Sequence, residues 1–205
     1  MSDARDEIME ATYRALCAHG YADLTMQDIA DETELSKAAL HYHFDSKQEL
    51  LQSFLDFLYD GFTERVGNPA GETAPDRLRT LVDSVLSPPV EDDDERVAFK
   101  TAILELKAQA PYDEGIRERL QRFDAFLYEE FQSVLEDGIE AGTVRETVDP
   151  DDAARFLVTA LDGASTKQVA VGQDPDCARR MLTAYIEGTL TVAGPDREPQ
   201  EVGPE

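Results

Sequence analysis

The segment Ser36-Lys37-Ala38-Ala39-Leu40-His41-Tyr42-His43, with Lys47 close behind it, carries the residue types best suited to recognition chemistry in this chain. Ser36 and Lys37 open a short predicted helix, where free backbone N–H groups and the helix dipole favour a phosphate. Ala38 and Ala39 are small, so the backbone can come close to base edges and thymine methyl groups. His41, Tyr42 and His43 add donors and a ring, and Lys47 offers a second cation to a phosphate. Phe44 reads as a core residue. His41 and His43 stand two apart and so leave a helix in different directions. The third histidine, His19, is remote and neither cysteine is near in sequence, so no metal site is expected and no cofactor is implied.

Such a segment needs elements to hold it. Ile8, Ala11, Thr12, Ala15 and Leu16 recur at helical spacing and predict a first helix over 3–18, ended by His19-Gly20. Thr25 is a good N-cap with Asp28 three residues on, which predicts a second helix over 26–32. Ser36 caps a third over 37–43. Ser46, with Glu49 at the reciprocal position, caps a long one over 47–66. Two short helices separated by a few residues match a helix-turn-helix, in which the later helix enters the major groove.

Beyond a Gly/Pro/Asn loop at 67–74, helical patterns cover 77–86, 92–109, 116–142, 150–171 and 175–192. Pro88-Pro89 and Pro111 act as breaks, and Asp149-Pro150 opens a helix with proline in its first turn. No long alternating segment appears. The fold expected is all-α, about nine helices in total: a DNA-binding domain over 1–47, a helical body over 48–193, and a disordered acidic tail over 194–205.

The net charge of −25 points away from nucleic acid when taken alone. Its distribution changes that reading. Residues 1–50 already hold 4 Lys or Arg against 11 Asp or Glu, and the excess continues through the rest of the chain. An excess this even is a property of the whole surface rather than of a tail. It resembles proteins of cells that hold molar salt, where a Debye length of about 3 Å screens repulsion; an ordinary acidic protein is the alternative. Between Ser36 and Lys47 the charged residues are only Lys37, Asp45 and Lys47, so the acidic excess spares the segment that would face DNA.

No run of apolar residues is long enough for a transmembrane helix, and the acidic start Met1-Ser2-Asp3-Ala4-Arg5-Asp6-Glu7 lacks the apolar core of a signal peptide; a cytoplasmic protein with no membrane partner is expected. Cys17 and Cys177 have no CxxC partner and read as small buried apolar residues.

Taken in register, Thr25-Met26-Gln27-Asp28-Ile29-Ala30 and then Leu35-Ser36-Lys37-Ala38-Ala39-Leu40-His41-Tyr42-His43-Phe44-Asp45-Ser46-Lys47-Gln48-Glu49-Leu50-Leu51 resemble the N-terminal domain of TetR-family regulators. Ile8-Met9 through Gly20-Tyr21 fits that family's first helix, and the likeness spans residues 5–52. It implies phosphate contacts from Thr25, Lys37, Tyr42, His43 and Lys47, and places Ala38, Ala39 and His41 toward bases or the adjoining backbone. The chain departs from the family at Glu34, where glycine is usual, at Ala38-Ala39, where Gly-Thr is usual, and at His41, often tyrosine.

The resemblance also implies a helical body that encloses an apolar effector. Phe57, Phe62, Phe99, Ile103, Leu106, Phe123 and Leu127 are the candidate wall; residue by residue each also reads as ordinary core. The last two helices carry Ala153, Phe156, Leu157, Ala160, Leu161 and Ala164 beside Gly163, and Met181, Tyr185, Ile186 and Leu190. By resemblance, they would pair with a second copy in a four-helix bundle. A two-fold dimer would set two recognition helices on a palindromic operator in double-stranded DNA. A helical enzyme is disfavoured, since all three histidines precede residue 44 and no GxSxG or P-loop occurs. A dimeric adaptor that has lost DNA binding is the alternative that Glu34, Ala39 and the charge leave open.

Overall fold

The computed structural model describes residues 4–33, 35–87 and 93–192. The turn residue Glu34, the Pro88-Pro89 break and the 194–205 tail lie outside the described residues. Within them the chain is all-α, with nine helices: α1 (Ala4–Asp23), α2 (Met26–Asp31), α3 (Lys37–His43), α4 (Lys47–Val66), α5 (Ala74–Leu86), α6 (Asp93–Gln109), α7 (Glu114–Glu140), α8 (Pro150–Val171) and α9 (Asp176–Tyr185), followed by a π-helical turn (Ile186–Leu190).

Local chemistry sets the boundaries. Thr25 accepts from the backbone N–H groups of Gln27 and Asp28, and Asp28 returns the bond to the Thr25 backbone, so α2 begins on a complete capping box. Ser36 accepts from the Ala39 N–H and Ser46 from that of Glu49. The Glu49 carboxylate reaches Asp45 N, 2.8 Å away, rather than the Ser46 N–H that a capping box requires. A second box, Thr73 with Asp76, starts α5 three residues ahead of the expected Arg77.

One helix ends where the sequence predicts, and another expected helix is interrupted. Gly20 adopts φ 70°, ψ 169°, which breaks α1 at the expected place, yet a further turn follows before α2. The expected helix over 175–192 opens into the π turn after Tyr185. The wider turn frees carbonyls, and Arg145 takes those of Thr191 and Gly188 at 2.8 and 3.0 Å. Val144 and Thr191 form an isolated antiparallel bridge there. Gly138 makes this junction possible, since a Cβ would lie 2.5 Å from Val144 Cγ2 and 2.7 Å from Ala74 Cβ.

Two apolar clusters hold the helices. One joins Ile8, Leu16, Ile29, Leu40 and Phe44 to Leu50, Phe54 and Leu55 of α4, and also takes in Ala102 and Leu106 of α6 and Ile116 of α7. The other joins α5, α7, α8, α9 and the π turn around Leu78, Phe131, Leu157 and Ile186. Full burial of each large side chain is worth about 1.5–3 kcal/mol. The first three helices therefore share their core with the start of α4 and with α6. Cys17 is half-buried and Cys177 exposed, contrary to the expectation that both are buried: Cys177 lies on the outer side of α9, whose inner side is supplied by Leu182.

Candidate DNA-binding face and adjoining cavity

Leu40 is fully buried and Phe44 nearly so, and these two fix α3 against α1, α2 and α4. The same helical phase turns Lys37, Ala38, His41, Tyr42 and His43 outward, with Ala39 half-buried. Tyr42 is 88% exposed, its ring edge against His43 at a centroid distance of 5.5 Å. Thr25 and Ser36 are exposed and already serve as caps. Hydrogen bonds from Thr25 hold the Asp28 carboxyl below the usual carboxylate range.

Three residues that the motif did not single out position this unit. Thr33 Oγ1 donates to Ala30 O at 3.0 Å and accepts from Leu35 N at 2.9 Å, which closes the turn between α2 and α3. Arg14 grips the end of α2 through the carboxylate and the backbone oxygen of Glu32, at 3.1 and 2.8 Å. Glu105 of α6 accepts from Tyr21 N at the break in α1. Thr33 is a turn-forming residue by type and could have been found in the sequence; the other two act across the fold.

Lys47 sits differently from its exposed neighbours. Its ammonium donates to Tyr21 O and Leu24 O, 2.7 Å each, and lies 4.8 Å from the Tyr21 ring centroid. Desolvation there lowers its pKa from the ordinary value, against the pull of Asp23 and Asp28. Two of its three donors thus close the turn between Tyr21 and Leu24, leaving one for another acceptor.

A cavity of about 1590 Å³ opens between α4, α6, α7 and α8. Of the candidate wall residues, Phe57, Phe62, Phe99, Ile103, Phe123 and Leu127 line it. Leu106 does not. It stands on the flank of the cavity stripe, about 60° around α6 from Ile103 and on the side away from Leu104, where it is fully buried in the cluster shared with α1. Tyr13, Leu58, Leu104, Leu120 and Val158 are further apolar wall residues. Cations in the wall are engaged: Lys107 pairs with Asp162, and Lys100 donates to Leu86 O and Gln168 Oε1 at 2.9 and 2.6 Å. Arg65 donates to Ser84 O and lies 5.5 Å from the Phe62 ring centroid, and burial lowers its pKa while leaving it charged. Outside the cavity α4 is tied to α7 by a polar seam. Gln48 and Gln52 donate to Asp113 at 2.7 and 3.2 Å, and Asp56 takes Arg119 and Arg122 at 3.0 and 2.7 Å.

The two C-terminal stripes divide. Ala153, Leu157, Leu161, Ile186 and Leu190 face the protomer's own core. Phe156 at 50% and Met181 at 65% stay exposed, with Phe156 against Tyr185 at a ring distance of 4.9 Å. Gly163 faces open space, with nothing within 4 Å of where a Cβ would stand. Among the described residues no helix is long and apolar enough to cross a membrane, and no cluster of three metal-ligating side chains occurs.

Two family models match the chain. Residues 8–54 match the family model of bacterial regulatory proteins of the tetR family, and residues 74–191 that of the BetI-type transcriptional repressor C-terminal region. The transcriptional repressor KstR2 of Rhodococcus jostii is 26% identical over 160 residues, covering 76% of this chain and 75% of that protein. The regulator TtgR of Pseudomonas putida is 28% identical, covering 78% of each. Among solved structures, a TetR transcription regulator from Haloarcula marismortui is 38% identical with a TM-score of 0.85, covering 93% of this chain and all (100%) of that one. A transcriptional regulator from Saccharomonospora viridis, solved in complex with choline, is 26% identical with a TM-score of 0.76, covering 94% and 100%. With an outward-facing third helix set on a buried Leu40 and family matches to both parts of the chain, the protein belongs to the TetR family of DNA-binding transcriptional regulators, which are not enzymes.

Proposed function

We propose that this chain is a ligand-responsive repressor that binds a palindromic operator as a dimer in the cytoplasm and is released by a small apolar or amphipathic effector. The observation that carries the reading is α3, anchored by Leu40 and Phe44 while Lys37, His41, Tyr42 and His43 face outward. Base contacts would come from Ala38, Ala39 and His41, and phosphate contacts from Thr25, Ser36, Lys37, Tyr42, His43 and the remaining donor of Lys47. The test is a gel-shift titration of duplex DNA from upstream of the gene in molar KCl. Specific binding by wild type that is lost in Lys37→Ala/Tyr42→Ala is expected. Its absence in wild type would leave the dimeric adaptor without DNA binding, the reading that Glu34, Ala39 and the net charge of −25 favour.

The cavity supports the effector. Its walls are mostly apolar, and about 1590 Å³ exceeds the roughly 300–1,000 Å³ of ordinary ligand sites. It is larger than a ligand as small as choline, bound by the Saccharomonospora viridis relative, requires. The acidic surface supports operation in molar salt, where phosphate repulsion is screened. Exposed Phe156 and Met181 beside open Gly163 support a dimer through α8 and α9. Gly163→Arg should convert the dimer to a monomer by analytical ultracentrifugation while the helical signal persists. An unchanged dimer would place the interface elsewhere.

A further inference from the structure

The geometry points to Glu105 as the polar link through which the cavity helix α6 positions the DNA-binding unit. This rests on the ligand-responsive reading above and adds a route to it besides α4.

Helix α6 has two working sides. Phe99, Ile103, Leu104 and Lys107 line the cavity, and Ala102 and Leu106 are buried against α1. Glu105 lies on the α1 side, and its carboxylate meets α1 at the one place where that helix is broken. With Gly20 at φ 70°, ψ 169°, the helix ends and restarts, so the Tyr21 N–H at the restart needs an acceptor from elsewhere. Glu105 Oε2 supplies it at 2.5 Å. The fit leaves no room: a Cβ on residue 20 would lie 2.9 Å from the same oxygen. Lys47 grips the other side of this turn through Tyr21 O and Leu24 O.

The broken turn therefore hangs between a carboxylate from α6 and an ammonium from α4. Thr25, the N-cap of α2, follows directly. A ligand that displaces Ile103 and Leu104 must rotate or shift α6, and Glu105 moves with them. Its bond is directional and charge-assisted, so the displacement is passed to Tyr21 and on to α2 and α3 rather than absorbed by sliding apolar contacts. Glu105 is a positioning residue, not a ligand or DNA contact.

The experiment measures thermodynamic coupling in the full-length dimer. The cavity probe is anilinonaphthalene sulfonate and the DNA probe is a palindromic duplex selected by wild-type protein from a random pool. The probe's Kd is measured with and without saturating duplex, and the ratio is the coupling factor. Wild type is expected to show a factor of about fivefold or more. Glu105→Ala should bring it close to one while the probe's affinity for DNA-free protein stays within about twofold, whereas Glu105→Gln, which keeps the acceptor oxygen, should retain most of it. Gly20→Ala, which leaves every residue of α6 in place but strains the φ 70° turn and crowds the Glu105 carboxylate aside, should also reduce it and covers the case of a poorly folded Glu105→Ala. Wild-type coupling that persists in Glu105→Ala or, where that variant does not fold, in Gly20→Ala overturns the inference and leaves the repressor reading standing. A coupling factor of one in wild type overturns the ligand-responsive reading itself, and the inference with it.

Discussion

The outward side of α3, the proposed DNA-binding face, and the wall of the cavity, the proposed effector site, treat polar groups in opposite ways. On α3, Lys37, His41, Tyr42 and His43 stand in solvent, and Tyr42 touches only His43 among the ring contacts. In the cavity the cations are held: Lys107 by Asp162, Lys100 by a carbonyl and a glutamine, Arg65 by a carbonyl and a ring. A surface meant for a large polyanion leaves its cations hydrated until phosphates arrive. A cavity for a small molecule must instead satisfy its charges in advance, because a desolvated unpaired charge costs several kcal/mol. What α3 lacks in basic charge it offsets by lying in a stretch, residues 35–44, that holds no acidic residue.

Perturbing each side separately tests this contrast. The largest effect is expected from Leu40→Ala, which empties the site that anchors α3; stability should fall by about 3 kcal/mol, read from chemical denaturation, and DNA binding should fail with it. Lys37→Ala/Tyr42→Ala should weaken duplex affinity by about a hundredfold, close to 3 kcal/mol, in fluorescence anisotropy. Both side chains are exposed, so the melting temperature should not change; a drop would mean that they belong to the fold. On the cavity side, Phe123→Ala should weaken an apolar fluorophore about tenfold and leave ligand-free DNA binding within about twofold. An equal loss of DNA affinity would show that the two sides are not separable.

The smallest effect concerns pH. Thr25 holds the Asp28 carboxyl below its ordinary value of 3.8, so the stability this box adds is present above that value and is lost as pH falls through the lower folded value. Thr73 does the same for Asp76, with Arg79 contributing. Asp28→Asn should flatten the melting-temperature profile in that acidic window by lowering the melting temperature slightly at neutral pH, where the ionised carboxyl contributes, and little in acid. An unaltered acidic slope would remove Asp28 from the account.

The same contrast explains what could be read in the sequence. The α3 face was legible because its determinants are local: Thr25 and Asp28 are three residues apart, and Leu40 with Phe44 sets the phase of a single short helix. Six of the candidate wall residues line a cavity, and Leu106 packs beside it instead. Helix α6 is packed on two sides, by the cavity and by α1, so no polar stripe separates Ile103 from Leu106. The inward bonds of Lys47 and Glu105 depend on a break at Gly20 that lies far from both in sequence. The π turn was hidden because Leu182, Ile186 and Leu190 keep a spacing that an α-helix would also give.

The central claim is that an acidic chain of net charge −25 reads DNA through α3 with few cations. The salt dependence of binding tests it most directly. With Lys37 and the spare donor of Lys47 on each protomer, about four phosphates would be neutralised per dimer, and log Kobs should fall against log[KCl] with a slope of about −4. Specific binding to the selected palindrome should persist into molar KCl. A slope near −10, or no sequence preference at any salt concentration, would contradict the account.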